Sequence, residues 1–270
     1  MSIHNHHYRD IKFNQQQSTD CTLLVLVGTD SFSYAVTGQS RLLLLEENVN
    51  LNELTKTAGQ HQLLFSTYKQ RVVGLPHRGF SFVPVSLFRP DKVADFARFL
   101  DVKDNEKVIS QLLDAENQVI YKVDERIIAA AEVFGIQNSV FAAKGWIMAI
   151  AASNPQKETL YLDIDQDKLE ILNFRDGKLR FYNSFEFKTE DELVYFASFV
   201  AGELDLQTQN TTLILSGDAK QGDKNTRRLA EFFYKVEWNN LKPVDLPAEI
   251  PSQNVLSLTA LSLCGSSEAL

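Results

Sequence analysis

Short apolar runs joined by tight turns open the chain and predict an antiparallel meander. Three runs have the length and composition of strands: residues 22–27, 32–37 and 41–45. The cluster from Gly28 to Ser31 supplies the first turn, because glycine and small polar residues tolerate turn geometry. A polar segment at residues 51–59 predicts a helix that ends at its glycine. The chain therefore begins with three strands and a helix.

The rest of the first half predicts more strands and two amphipathic helices. Pro90 suits the first position of a helix, and apolar residues follow at i, i+3, i+4 and i+7 from Val93. Asp124 and Gly135 are expected to begin and end a second helix. A third, small and apolar helix is expected at residues 142–152. Five further runs are expected as strands: residues 63–65, 71–75, 79–85, 108–113 and 118–123.

The second half repeats this plan more clearly. Asp176 and Gly177 predict a two-residue hairpin turn, because both residues tolerate positive φ angles. Thr189 and Glu192 form a capping box that begins a helix with an apolar stripe. A second helix is expected at residues 225–234. Strands are expected at residues 160–164, 168–174, 178–187, 211–215 and 236–238.

Three strands, a helix, further strands and a helix thus occur twice, which predicts a duplicated α/β fold of mixed sheets with flanking helices. A helix breaker at Ser153, Asn154 and Pro155 separates the halves. The first subdomain is expected at residues 1–155, joined by a C-terminal helix near residues 253–264. The second is expected at residues 156–241, and residues 242–270 form a closing connection.

Several short motifs resemble those of a bacterial domain-of-unknown-function family, among them Phe82-Val83-Pro84, Asn183-Ser184-Phe185 and Leu215-Ser216-Gly217. The resemblance covers nearly the whole chain. Members of that family look like actin-like ATPase (ribonuclease-H-like) folds, distant kin of PilM, EpsL and FtsA. The resemblance implies two subdomains around a cleft, and it implies no particular reaction, since function resides in sites rather than folds.

An active actin-like ATPase carries an Asp-x-Gly-Thr turn, a second Asp-x-Gly turn and a Gly-Gly pair near the adenosine. The glycine turns bring backbone amides to the phosphates, and the aspartates hold Mg²⁺ and water. Here Gly28 and Thr29 are present, but Leu26 stands at the position of the carboxylate. Asp163 is kept, but Asp165 replaces the glycine. The third motif has Ser216 and Gly217.

These departures predict a vestigial nucleotide cleft formed by Gly28, Thr29, Asp163, Asp165, Ser216 and Gly217. The leading hypothesis is a non-catalytic binding or scaffold protein that needs no cofactor and has an unidentified protein partner. The alternative is a weak nucleotide-binding protein or ATPase that holds Mg²⁺ and ATP with Asp163 and Asp165. Two aspartates at i and i+2 on a strand face the same side, as a metal pair requires. An exposed charged strand end is the simpler interpretation.

Composition and charge limit the classes of protein and the cellular compartments that the chain fits. The net charge of −8 argues against binding to nucleic acid, including a nucleic-acid-processing enzyme. Two distant cysteines, Cys21 and Cys264, are expected to be free thiols and to form no disulfide. No apolar run is long enough to span a bilayer and no signal peptide is visible, so a cytoplasmic protein is expected.

Other chemical groupings have simpler interpretations. A tract of His4, His6 and His7 could bind a metal, but a solvated terminus is the simpler interpretation and is the one expected. His77 beside Arg78 is expected in a polar turn. A basic cluster on a predicted helix is expected to be a solvated face: Lys224, Arg227 and Arg228. The chain has 18 phenylalanines; most are expected in the core, and a few in a protein interface.

Overall fold

A computed structural model describes residues 6–55 and 62–265. The chain divides into two compact units. The N-terminal unit comprises described residues up to Met148, together with Pro243–Asp245 and the segment from Leu258. The C-terminal unit comprises Ala149–Lys242 and Leu246–Ser257. The domain boundaries expected at Pro155 and Leu241 stay predictions.

The N-terminal unit contains a six-stranded mixed sheet of order β1-β4-β3-β2-β5-β9. Strands β2, β3 and β4 form the predicted antiparallel meander, and β5 and β9 add in parallel on the other side. The strands are β1 (His7–Arg9), β2 (Thr22–Val27), β3 (Ser31–Gly38), β4 (Arg41–Asn50), β5 (Gln70–Leu75) and β9 (Ser139–Phe141).

A second sheet of this unit has the order β6-β8-β7, and all its pairs are antiparallel. Its strands are β6 (Gly79–Pro84), β7 (Glu106–Leu112) and β8 (Asn117–Asp124). The α-helices are α1 (Val93–Ala97), α2 (Glu125–Ala131) and α3 (Lys144–Ala152). Short 3-10 helices occur at Gln15–Asp20, Leu51–Thr55, Gln62–Phe65, Val85–Leu87, Pro90–Lys92, Arg98–Leu100, Glu132–Phe134, Ile136–Asn138 and Ala260–Cys264.

The C-terminal unit contains a five-stranded sheet of order β12-β11-β10-β13-β14. Helices α4 and α5 connect its parallel strands, and a 3-10 helix lies at Thr208–Asn210. Its strands are β10 (Thr159–Asp165), β11 (Lys168–Arg175), β12 (Lys178–Glu186), β13 (Thr212–Gly217) and β14 (Lys235–Trp238). Its helices are α4 (Glu190–Glu203) and α5 (Lys224–Phe232), followed by α6 (Leu256–Thr259), of which Leu256 and Ser257 belong to this unit.

The two large sheets share one topology, which confirms the predicted duplication. An antiparallel three-stranded meander is extended by two parallel strands in both, and the N-terminal unit adds β1 at its edge. In the C-terminal unit, the alternating apolar residues of β10 pack on one side against α4 and α5. Leu160, Leu162 and Ile164 are buried there. The intervening residues of β10 therefore face the opposite side of the sheet.

Local signals account for most of the element ends. Thr189 accepts a hydrogen bond from the amide of Glu192 and begins α4 as predicted, whereas the Glu192 carboxylate accepts from the amide of Lys188. Asp124 caps α2 through the amide of Arg126. Asp176 and Gly177 have φ angles of 54° and 75°, as the predicted hairpin turn requires.

Three predictions of secondary structure are wrong or lie partly outside the described residues. Residues 63–65 belong to a 3-10 helix, not a strand. The helix that begins at Pro90 is broken into 3-10 and α-helical turns, and only Ala97 of its apolar stripe is fully buried. Without full burial of an amphipathic face, a short helix lacks its main source of stability. Residues 51–55 form a 3-10 helix, and the remainder of that predicted helix, to Gly59, lies outside the described residues.

Candidate functional site

A row of polar residues crosses the sheet of the C-terminal unit on the face opposite α4 and α5. Asp163 of β10 lies directly opposite Glu170 of β11 and Ser216 of β13. Asp165, two residues along β10, lies opposite Lys168. Residues paired across neighbouring strands point to the same face, so the register brings these side chains together.

Asp163 lies at the centre of this row and is buried, with 9% of its surface exposed. Ser257 of α6 donates a hydrogen bond from its hydroxyl to Asp163 Oδ2. Burial, followed by repulsion from Glu170, raises the pKa of Asp163 to about 7. The hydrogen bond from Ser257 and the charge of Lys168 act in the opposite direction, but they are the smaller effects. Asp163 thus holds a proton more readily than an exposed aspartate does.

Lys168 is the cation that lies next to the carboxylates around Asp163. Lys168 Nζ donates a hydrogen bond to Glu170 Oε1. Burial works against the charge of Lys168, but attraction by Glu170 and the two aspartates outweighs it and raises the pKa of Lys168. Asp165 keeps solvent contact; desolvation by the surrounding protein and repulsion from Asp218 raise its pKa to about 6. The local balance is acidic.

Backbone amides at the turns that follow β2 and β13 donate hydrogen bonds to backbone carbonyl groups of the same chain. Gly28 donates to Ser31 O at 2.8 Å, which closes the turn between β2 and β3. In the C-terminal unit, Gly217 donates to Gln253 O at 2.9 Å and Asp218 donates to Ile164 O at 2.7 Å. The turn after β10 is also tight, since Asp165 pairs with Lys168 across only two intervening residues.

The C-terminal segment of the unit lies over the ends of its three parallel strands. Ser252 donates to Asn239 O just after β14, Gln253 accepts from Gly217 at the end of β13, and Ser257 contacts Asp163 on β10. Ligands of open α/β sheets generally bind outside the carboxyl ends of parallel strands. Here residues 252–257 occupy that position.

Two buried polar atoms of this face make no hydrogen bond within the described chain. They are Ser216 Oγ and Asn239 Nδ2. Such atoms are rare, because leaving a buried polar group without a partner is unfavourable. No three side chains of metal-ligand type converge on a common point within residues 6–55 and 62–265.

The predicted site residues are distributed between the two units. Asp163, Asp165, Ser216 and Gly217 lie together in the C-terminal unit, at the ends of β10 and β13. Gly28 and Thr29 lie in the turn between β2 and β3 of the N-terminal unit.

Sequence reasoning missed three contributors: Glu170, Ser257 and Gln253. The alternation of Lys168 and Glu170 with apolar residues could have placed Glu170 on the face of Asp163. No local pattern connects the distant Ser257 and Gln253 with Asp163 and Gly217.

The remaining candidate groups have structural surroundings. His6 and His7 pair with Glu47 and Glu46 at 2.7 Å, whereas His4 lies outside the described residues. His77 stacks on Phe141 with ring centroids 5.2 Å apart. Within the basic cluster, Arg228 pairs with Asp191 at 2.8 Å, and Lys224 and Arg227 are exposed at the start of α5.

Comparison with solved structures identifies the class of protein as the actin-like ATPase fold. A Bacteroides thetaiotaomicron protein of unknown function with this fold is 19% identical, with a TM-score of 0.77 over 93% of this chain and 99% of that one. PilM from the PilM–PilN type IV pilus biogenesis complex is 11% identical, with a TM-score of 0.54 over 90% and 96%. The cytoplasmic domain of EpsL from Vibrio cholerae is 13% identical, with a TM-score of 0.46 over 91% and 96%.

The chain belongs to the family described as protein of unknown function DUF3822, whose model matches residues 10–236. Among curated proteins, none matches the sequence. These comparisons confirm the predicted family and fold.

Two further findings concern the cysteines and the helices. Cys21 and Cys264 are both free, as predicted. Burial raises the pKa of both thiols, that of Cys264 to about 11. Across the part of the chain that the structure describes, every helix is too short or too polar to cross a membrane.

Proposed function

We propose that this protein is a non-catalytic binding protein that keeps the actin-like fold without its nucleotide chemistry. The observation that carries the proposal is that the backbone amides of the turns already make hydrogen bonds within the chain. A phosphate is held by backbone N–H groups that point at it. Gly28, Gly217 and Asp218 instead donate to carbonyl groups of the chain itself. Binding a phosphate there would require these bonds to break.

The surroundings of Asp163 support the same proposal. A metal ligand of this type must be ionised. Burial and Glu170 favour the protonated form of Asp163, and Ser257 contacts one of its oxygens. Mg²⁺ would have to displace both this proton and the Ser257 hydroxyl from Asp163. Mg²⁺-dependent nucleotide binding is the alternative to test.

Binding to another protein is compatible with the fold. PilM, whose structure was solved in a PilM–PilN complex, has the same fold at low sequence identity. We extend to this chain only the idea that such a fold can serve as a protein-binding scaffold.

Thermal unfolding with and without Mg²⁺–ATP tests the proposal. A ligand at 100 times its dissociation constant stabilises the folded state by about 2.7 kcal/mol, which a melting curve resolves. We expect no Mg²⁺-dependent shift at millimolar ATP and no hydrolysis above background.

Asp163→Asn is the matched control, because it removes the ionisable group and keeps the side-chain shape. A Mg²⁺-dependent stabilisation that is present in the parent protein and absent in Asp163→Asn would reject the proposal in favour of a nucleotide-binding protein. A flat response in both proteins supports it.

A further inference from the structure

Exposed aromatic side chains are concentrated on the helical side of the C-terminal unit. On α4, Tyr195 is 61% exposed and Phe199 is 49% exposed. At the end of α5 and just beyond it, Phe232 is 44% exposed and Tyr234 is 69% exposed. Large aromatic side chains favour burial, and exposed groups of them mark interaction surfaces. We call these four residues the aromatic seam.

The packing of α4 and α5 makes the aromatic seam continuous. Strands β12, β13 and β14 run in the same direction, so the two helices that connect them are parallel. Arg228 of α5 contacts Asp191 of α4 at 2.8 Å. One turn further along, on the same helix faces as this ion pair, lie Phe232 of α5 and Tyr195 of α4.

Ring contacts and one backbone hydrogen bond extend this surface. The rings of Tyr195 and Phe199 stack with centroids 6.1 Å apart. The Arg228 guanidinium lies 4.8 Å from the centre of the Phe232 ring. The amide of Tyr234 donates to Thr208 O at 2.9 Å, which places Tyr234 beside the segment that follows α4. The aromatic seam therefore follows the groove between two packed helices.

The rim of the aromatic seam is acidic. The charged residues within four positions of its members along the chain are Asp191, Glu192, Glu203, Arg228, Glu231, Lys235 and Glu237. Arg228 already pairs with Asp191 and Glu231. Lys235 pairs with Glu237. Five carboxylates against two cations leave a negative surface, which attracts a partner of positive charge.

We propose that the aromatic seam is the docking surface for a basic amphipathic helix of a partner protein, an inference that rests on the proposed binding function. A groove between two parallel helices fits a third helix that inserts apolar side chains. Lysines or arginines that flank those side chains would meet the acidic rim.

The test uses a fluorescently labelled model peptide of about five helical turns, with leucines on one face and lysines on the other. Its counterpart has glutamates in place of the lysines. We expect the lysine peptide to bind at least about tenfold more tightly than the glutamate peptide, measured by fluorescence anisotropy. The double variant Tyr195→Ser, Phe199→Ser should weaken binding of the lysine peptide by about tenfold or more.

Phe99→Ser is the matched control, because Phe99 is an exposed aromatic residue of the N-terminal unit, 86% exposed. It should leave the affinity unchanged. A second variant, Glu203→Lys, lies at the C-terminal end of α4 and should shift the preference towards the glutamate peptide. An unchanged urea midpoint establishes that each variant is folded.

Equal binding of the two peptides, or equal losses in the Phe99 control and the double variant, would overturn the docking proposal. The Mg²⁺–ATP melt is a separate measurement. A flat melt without peptide binding rejects only the docking surface, whereas a Mg²⁺-dependent shift that Asp163→Asn abolishes rejects the underlying binding function.

Discussion

The duplicated sheets place different residues at one equivalent position. It lies on the first strand of the meander, two residues before the residue that closes the turn, which is Gly28 in one unit and Asp165 in the other. In the N-terminal unit this is Leu26, which lies opposite Ser33 of β3 and Gly74 of β5. In the C-terminal unit it is Asp163, opposite Glu170 and Ser216. The strand directions and sheet order are the same around both residues.

The comparison shows that the same strand topology can surround an apolar side chain or an acidic one, and that the side chain determines the chemistry of the position. Leu26 Cδ1 approaches Gly74 closely, and the side chain of Leu261 lies beside the same glycine. The position in the N-terminal unit is therefore packed with apolar groups. The equivalent position in the C-terminal unit holds a buried acid with polar neighbours, which hydrophobic packing alone would not select.

The largest expected effect is a difference in stability between glycine-to-alanine variants in the two sheets. Gly217 has a φ of 82°, and an added Cβ would lie 2.2 Å from Ile164 O and 2.4 Å from Asp163 Oδ1. Gly217→Ala combines a strained backbone with a clash, so we expect a loss of about 3 to 5 kcal/mol in the free energy of unfolding, measured by urea denaturation. Gly74→Ala should cost less, about 1 to 2 kcal/mol, because its closest contact is a leucine methyl at 3.0 Å.

Gly177→Ala is the control that measures the cost of backbone strain without a clash. Gly177 has a φ of 75° and no atom within 4 Å of an added Cβ. We expect a cost of about 1 kcal/mol there. If Gly217→Ala lowered the free energy of unfolding no more than Gly177→Ala does, Gly217 would not lie as close to Asp163 as the structure places it.

The second expected effect is a pH dependence from Asp163. The unfolded chain loses this proton near the ordinary pKa of 3.8, whereas the folded chain keeps it up to about 7. The stabilising contribution of Asp163 is thus fully present below about pH 4, declines as the pH rises to about 7 and is constant above that. A pKa difference of this size corresponds to about 4 kcal/mol.

Asp163→Asn should remove this contribution to the pH dependence and raise the free energy of unfolding at pH 8. Urea denaturation at pH 5 and pH 8, with Leu26→Asn as the counterpart in the other sheet, measures the difference. Leu26→Asn introduces no ionisable group and loses apolar packing, so it should destabilise at both pH values equally. An unchanged pH slope in Asp163→Asn would mean that Asp163 ionises as an exposed aspartate does.

Much of the fold could be predicted from the sequence because its signals are local. The alternation in β10 and β11, the turn at Asp176 and the cap at Thr189 each act within a few residues. The prediction of a strand at residues 63–65 is wrong because three apolar residues fit a 3-10 turn equally well.

The site was predictable only in part. Motif positions identified Asp163, Ser216 and Gly217, and the strand register places them together. The contact from Ser257 and the bond from Gly217 to Gln253 join residues far apart in the chain. Such contacts depend on tertiary structure, which a pattern of adjacent residues does not encode.

The smallest expected effect concerns the hydroxyl groups next to Asp163. Ser216 Oγ is buried and has no hydrogen bond within the described chain, whereas the Ser257 hydroxyl donates to Asp163. A buried hydroxyl without a partner loses its hydration on folding and gains nothing, so Ser216→Ala should leave the free energy of unfolding unchanged or raise it by up to about 1 kcal/mol. Ser257→Ala removes a formed hydrogen bond and should lower it by about 1 to 2 kcal/mol. Urea denaturation of both variants measures the difference. A loss above about 1 kcal/mol in Ser216→Ala would show that this hydroxyl has a partner, as it would if the acidic face held a bound ligand.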